Sequence, residues 1–164
     1  MVERQYTRID SVRRYLDDML KQCEDKEVSR NGYVHLYGVG QMCALLALYR
    51  GFDRAYAELA EIAGMLHDYS KYKDNIGKEH GEKSSQEARK ILLAINTFSE
   101  EEIEMICQAI SRHSDKGQID TPFDEILKDA DALQHWLRNP VEEYFYRKER
   151  TQKVAEEIGL NKAI

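Results

Sequence analysis

Only two prolines, Pro122 and Pro140, interrupt the 164 residues of this chain, and its apolar residues recur at three- and four-residue spacing rather than alternating. That spacing lines one face of a helix, so an all-α fold is expected. A first helix is expected from Thr7 or Asp10 to Cys23, with Ile9, Val12, Tyr15, Leu16 and Met19 inward. Ser29 to Gly32 reads as a loop. A second helix runs from Tyr33 to Tyr49 and stops at Gly51, and Asp53 caps a third that carries Ala57, Ala60, Ala63, Gly64 and His67. The polar stretch Tyr69 to Gly81 reads as a loop with room for one helical turn. Further helices are expected at Ser84 to Ile95, Ser99 to Arg112 and Pro122 to Leu137. Ser99 with Glu102 makes a capping box, and Asp115 to Thr121 is a polar loop. A last, charged helix would run from Val141 to Ile158, with Gly159 as its stop. No repeat and no low-complexity linker divides the chain, which reads as one domain, 1–164, of about seven helices.

An apolar share of 42% is too high for a disordered chain. The net charge of −6 argues against a general nucleic-acid surface, but not against a small phosphate ester, because a bound cation reverses the local field. Cys23, Cys43 and Cys107 form no CxxC pair and read as reduced, semi-buried residues. The start, MVERQYTRID, has no apolar h-region, and no run is long enough to span a membrane. A cytoplasmic location is the default expectation, and a homo-oligomer stays open.

The five histidines carry the functional signal. His35 shares a stripe with Val39, Met42 and Leu46; His67 follows Ala60, Ala63 and Gly64; His113 follows Ile106, Ala109 and Ile110. Each imidazole is thus phased towards the core, where a polar ring needs a partner. Asp68 adjoins His67 at a helix end, where both side chains can reach one ion. Asp131 lies beside the apolar stripe Ile126, Ala130, Leu133, Leu137, and a carboxylate there needs a cation or several donors. One cation held by His35, His67, Asp68 and Asp131 accounts for all four. The mixed nitrogen and oxygen set suits iron, manganese, cobalt or zinc better than calcium.

His35, Met65-Leu66-His67-Asp68 and Lys128-Asp129-Ala130-Asp131-Ala132-Leu133 resemble the H…HD…D pattern of HD-domain phosphohydrolases. The likeness runs from about Gly32 to Leu137. His67-Asp68-Tyr69-Ser70-Lys71, with His80 and His113, resembles the two-metal HD-x-x-K branch that includes bacterial symmetrical diadenosine tetraphosphate hydrolases. That resemblance implies two ions, with Asp68 bridging and His80 and His113 holding the second. It further implies a nucleotide-like phosphorylated small molecule as substrate, cleaved by a metal-bound hydroxide. No Gly-Tyr-Pro follows the HD-x-x-K run, and the Glu-Asp pair of alarmone hydrolases is absent.

Asp68 and Lys71 are the catalytic candidates. Lys71 lies a turn beyond His67 and Asp68 and would meet the substrate phosphate. Arg112, Lys83 and Lys116, beside the second set of ligands, are further phosphate candidates. His135 reads as a partner of Asp131 or an ordinary polar neighbour, and Asp129 as a supporting or exposed residue. The segment Glu142 to Glu157 receives no chemistry. Two other functions compete: a catalytically silent ligand- or protein-binding module, and a di-iron oxygenase.

Overall fold

The computed structural model describes residues 6–160; residues 1–5, which hold the start of the charged N-terminal stretch, and residues 161–164 lie outside it. The described residues form helices and no strand, so the architecture is all-α. In chain order they are α1 (Arg8–Gln22), α2 (Lys26–Tyr49), α3 (Arg54–Leu66), α4 (Tyr69–Asp74) and α5 (His80–Ile95), followed by α6 (Glu100–Arg112), α7 (Pro122–Leu137), α8 (Glu143–Tyr146) and α9 (Glu149–Glu157). None is long and apolar enough to cross a membrane.

Local signals set most starts. Thr7 with Asp10, Ser99 with Glu102 and Thr121 with Asp124 form capping boxes at α1, α6 and α7. Asp53 caps α3 through the Tyr56 amide. Helix α2 departs from the expectation, because it begins at Lys26 and Ser29 to Gly32 is helical rather than a loop. Asp25 caps the amides of Glu27 and Val28, and the Ser29 hydroxyl donates to the Leu20 carbonyl at 2.8 Å. Gly32 is there for proximity, not for a turn: a Cβ would stand 2.4 Å from Leu20 Cδ2.

Two further differences concern the supposed loop and the last helix. The stretch Tyr69 to Gly81 contains α4, and α5 starts at His80, four residues before Ser84. The intended last helix is two pieces, because Lys148 is extended and α9 folds back onto α7. Thr151, Val154 and Ala155 bury the inner face of α9, and Gly159 follows it at φ +80°.

Helix α2 packs most extensively against α3 and α7. Leu36, Val39, Cys43 and Leu46 of α2 meet Ile62, Met65 and Leu66 of α3 and Ile126 and Ala130 of α7 in one buried core. Where α2 crosses α3 the backbones touch: a Cβ on Gly64 would lie 2.7 Å from Gly40 Cα. This close crossing lies three residues before His67 on α3 and five residues after His35 on α2.

Candidate metal centre

Five helices converge on one buried cluster. His35 stands on α2, fully buried. His67 closes α3, and Asp68 follows with φ −110° and ψ 19°, opening α4. That break in the helical path turns the Asp68 carboxylate to the side of the His67 ring, which neighbours on a continuous helix could not share. His80 is the first residue of α5, placed by Glu79 at φ 60°. His113 ends α6, and Asp131 lies within α7.

The ligating atoms fall into two sets. His35 Nε2 lies 3.2 Å from His67 Nε2, 3.4 Å from Asp68 Oδ2 and 3.5 Å from Asp131 Oδ1. His67 Nε2 is 3.5 Å from Asp68 Oδ2 and 3.6 Å from Asp131 Oδ1. The other Asp68 oxygen, Oδ1, lies 3.2 Å from His80 Nε2 and 3.3 Å from His113 Nε2, and those two nitrogens are 3.3 Å apart. Bonds of ~2.1 Å to one ion separate ligand atoms by ~3.4 Å in a tetrahedron and ~3.0 Å in an octahedron. Both sets have that spacing, and Asp68 offers one oxygen to each.

The tautomers follow from the partner of each ring's other nitrogen. Each ring donates its Nδ1–H to an oxygen: His35 to Gln134 Oε1 at 2.6 Å, His67 to the Gly64 carbonyl at 2.7 Å, His80 to Gly77 at 2.8 Å and His113 to Ile110 at 2.7 Å. The Gln134 amide is oriented by its own donation to the Val34 carbonyl. With Nδ1 protonated, every Nε2 of a neutral ring presents a lone pair to the cluster. Lone pairs 3.2 Å apart cannot bond each other, and the Ser114 hydroxyl has one proton for both His80 and His113. Asp68 Oδ1 and Asp131 Oδ1 are buried without a hydrogen-bond partner. Acceptors gathered in this way fit cations, and the donor set fits first-row transition ions.

Electrostatics agree. Burial lowers the His67 pKa below its ordinary value, which keeps the ring neutral. Burial opposes ionisation of Asp68, but the surrounding imidazoles, where they carry a proton on Nε2, outweigh it and hold the carboxyl well below the usual range. Burial likewise opposes Asp131, and the Lys116 ammonium and the His135 and His67 rings hold it well below. The Asp68 carboxylate raises His80.

The cluster opens into a cavity of about 450 Å³. Lys71 and Lys116 line it, with Nζ 2.9 Å from Asp68 Oδ2 and 2.6 Å from Asp131 Oδ2. Arg112 instead reaches towards Asp124, 3.4 Å away, and neither it nor the exposed Lys83 lines the cavity. Asp129 faces away from the ligands and pairs with Arg50 and Arg150. His135 Nε2 lies 3.3 Å from Asp131 Oδ1. A larger concavity of about 580 Å³ beside α6 and α7 holds none of the clustered histidines and aspartates.

Sequence reasoning missed Gln134 and the contribution of the C-terminal segment, whose Phe145, Lys148, Arg150 and Thr151 also line the cavity. The signals were weak ones: Gln134 is one turn from Asp131, and Thr151, Val154 and Ala155 repeat at helical spacing. Gln134→Leu removes the acceptor that orients His35. It is expected to weaken metal binding by about 10–100-fold with helicity unchanged, measured by competitive titration with a chromophoric chelator. Unchanged affinity would show that the Gln134 contact is incidental.

Comparisons with curated proteins and with solved structures found no match. A family model described as HD domain matches residues 32–136. Because that stretch takes in every converging ligand and well over half of the molecule, the chain belongs to the HD domain family.

Proposed function

We propose that this protein is a two-metal phosphohydrolase acting on a phosphate ester or phosphoanhydride of a nucleotide-like small molecule. HD domains, as a family, are generally metal-dependent phosphohydrolases. The observation that carries the finer reading is Asp68, whose two oxygens serve two separate pairs of imidazole nitrogens. Bound manganese, iron, cobalt or zinc supplies a water of lowered pKa and draws charge off phosphoryl oxygens.

The chain's own residues supply the rest. Asp68 sets the separation of the two sets of ligands. The carbonyls of Gly64, Gly77 and Ile110 and the Gln134 amide hold each imidazole as an acceptor. Lys71 and Lys116 present ammonium groups to the cavity within reach of a phosphoryl group beside Asp68 and Asp131. Arg112 and Lys83 receive no role, because their side chains lie elsewhere. The cavity volume of about 450 Å³ falls in the range of small-molecule sites.

The test is to purify the protein, count its bound metals, and measure phosphate release from mononucleotides and dinucleoside polyphosphates with manganese, iron or cobalt. About two ions per chain are expected, with turnover of at least one substrate class that His67→Ala abolishes. Loaded protein that releases phosphate from none of them, with the variant behaving identically, overturns the hydrolase. One ion per chain removes the role given to His80 and His113. Oxygen consumption by the iron form would point to an oxygenase instead.

A further inference from the structure

The family match ends at residue 136, but the cavity does not. Its outer wall comes from the α8–α9 segment, whose side chains differ in how far they are already committed. Thr151 is buried. Arg150 is fully engaged: it pairs with Glu125 and Asp129 at 2.7 Å each and donates to the Lys116 carbonyl at 2.9 Å. Phe145 and Lys148 remain.

Phe145 stacks on the His135 ring, with centroids 5.0 Å apart and planes 15° from parallel, and so lines the cavity beside Asp131. Lys148 Nζ lies 4.5 Å above the Tyr144 ring. Lys71 and Lys116 each hold a carboxylate of the cluster, whereas Lys148 has none within 4.0 Å among the described residues. Helix α8 buries none of its residues fully, and only Phe145 and Tyr146 lean, half-buried, against the edge of the core. It is nonetheless held in place, because α7 precedes it and α9 is anchored by Arg150 and by the Arg50–Glu157 pair. An exposed ammonium held only by the ring and hydroxyl of Tyr144, with no carboxylate partner among the described residues, and a half-buried aromatic ring beside it are recognition chemistry for an anion with an organic part.

We propose that the α8–α9 segment selects the substrate: Lys148 takes a phosphoryl group other than the one at the histidine–aspartate cluster, and Phe145 packs against the organic part. This rests on the phosphohydrolase reading. On this reading orthophosphate, seated at the cluster, is bound without Lys148, whereas a longer phosphate chain engages it.

The test uses metal-loaded, full-length protein and calorimetric binding of orthophosphate, pyrophosphate, tripolyphosphate and ATP. Lys148→Ala is expected to weaken pyrophosphate and tripolyphosphate binding about tenfold and orthophosphate less than about twofold, with Lys148→Arg restoring the difference. Phe145→Ala is expected to weaken ATP more than tripolyphosphate. In steady-state assays the loss should fall on KM for multi-phosphate substrates, with kcat held. Equal losses for orthophosphate and pyrophosphate, or none, overturn the proposal. Wild-type protein that hydrolyses substrates while both variants match it sinks the selecting wall alone. Lys148-dependent binding of pyrophosphate without turnover of any ester supports the wall and refutes the hydrolase.

Discussion

Asp68→Ala is expected to empty both halves of the metal centre and to lower turnover by about a thousandfold or more. Among the described residues no other carboxylate lies within 4.0 Å of all four imidazoles. Asp68 is the one carboxylate there that close to His80 and His113, through Oδ1, while His35 meets Oδ2 and Asp131. Loss of His80 should therefore remove one ion and spare the other. Loss of Asp68 removes an oxygen from each set and leaves four imidazole lone pairs with half of their balancing charge. Asp68→Asn keeps the shape but not the charge, so it separates the two contributions. Metal content per chain, turnover and far-ultraviolet dichroism together make the check. A helical Asp68→Ala protein that keeps both ions, or activity within tenfold of wild type, would rule out a bridging carboxylate.

Metal removal should also destabilise the fold. An ion present at a hundred times its Kd adds about 2.7 kcal/mol to the native state. For a protein of this size each kcal/mol moves Tm by about 2–4 °C, so stripping two ions should lower Tm by about 10–20 °C. The gap should depend on pH. Burial lowers His67 below 6.5, so under acid the unfolded chain takes up the proton first and stability falls as pH drops through that window. Asp68 and Asp131 have folded values well below 3.8, so their contribution is present above that value and is lost as pH falls through the folded ones. His80 runs the other way in metal-free protein: raised above 6.5 by Asp68, it stabilises at lower pH and loses this as pH rises through its folded value. Ion binding requires all four rings neutral, so protons compete with the metal throughout. Thermal melts with and without chelator, from pH 8 to pH 5, should show the gap close towards the acid end. A chelator without effect at pH 8 would rule out structural ions.

Where the chain folds by local rules, sequence reading reached the right elements. Thr7 with Asp10, Ser99 with Glu102, and Thr121 with Asp124 mark helix starts through contacts three residues apart. The inward phase of His35, His67 and His113 on their stripes has its counterpart in their burial. The misreadings share a cause, because each depends on what lies across the core. Gly32 looks like a turn residue until Leu20 is seen against it. The split at Lys148 follows from packing α9 on α7, which periodicity within one segment cannot express. Gln134 meets His35 from 99 positions away, and Arg112, next to His113 in sequence, turns its guanidinium to Asp124. Phosphate-contacting side chains are long and flexible, so neighbourhood along the chain is a poor guide to where their charged ends go.

Gly64 serves the fold and the chemistry at once. Its missing side chain lets α3 touch α2 at Gly40, and its carbonyl accepts the proton that fixes the His67 ring. The crossing acts as a fulcrum, with the His35 and His67 rings at the ends of two short arms beyond it. A methyl group there would stand 2.7 Å from Gly40 Cα, so the helices would have to part, and the arms would carry that parting to two nitrogens now 3.2 Å apart. Metal–ligand bonds tolerate only about 0.2 Å. The gauge of the His35–His67 pair is thus cut by backbone meeting backbone at Gly64 and Gly40.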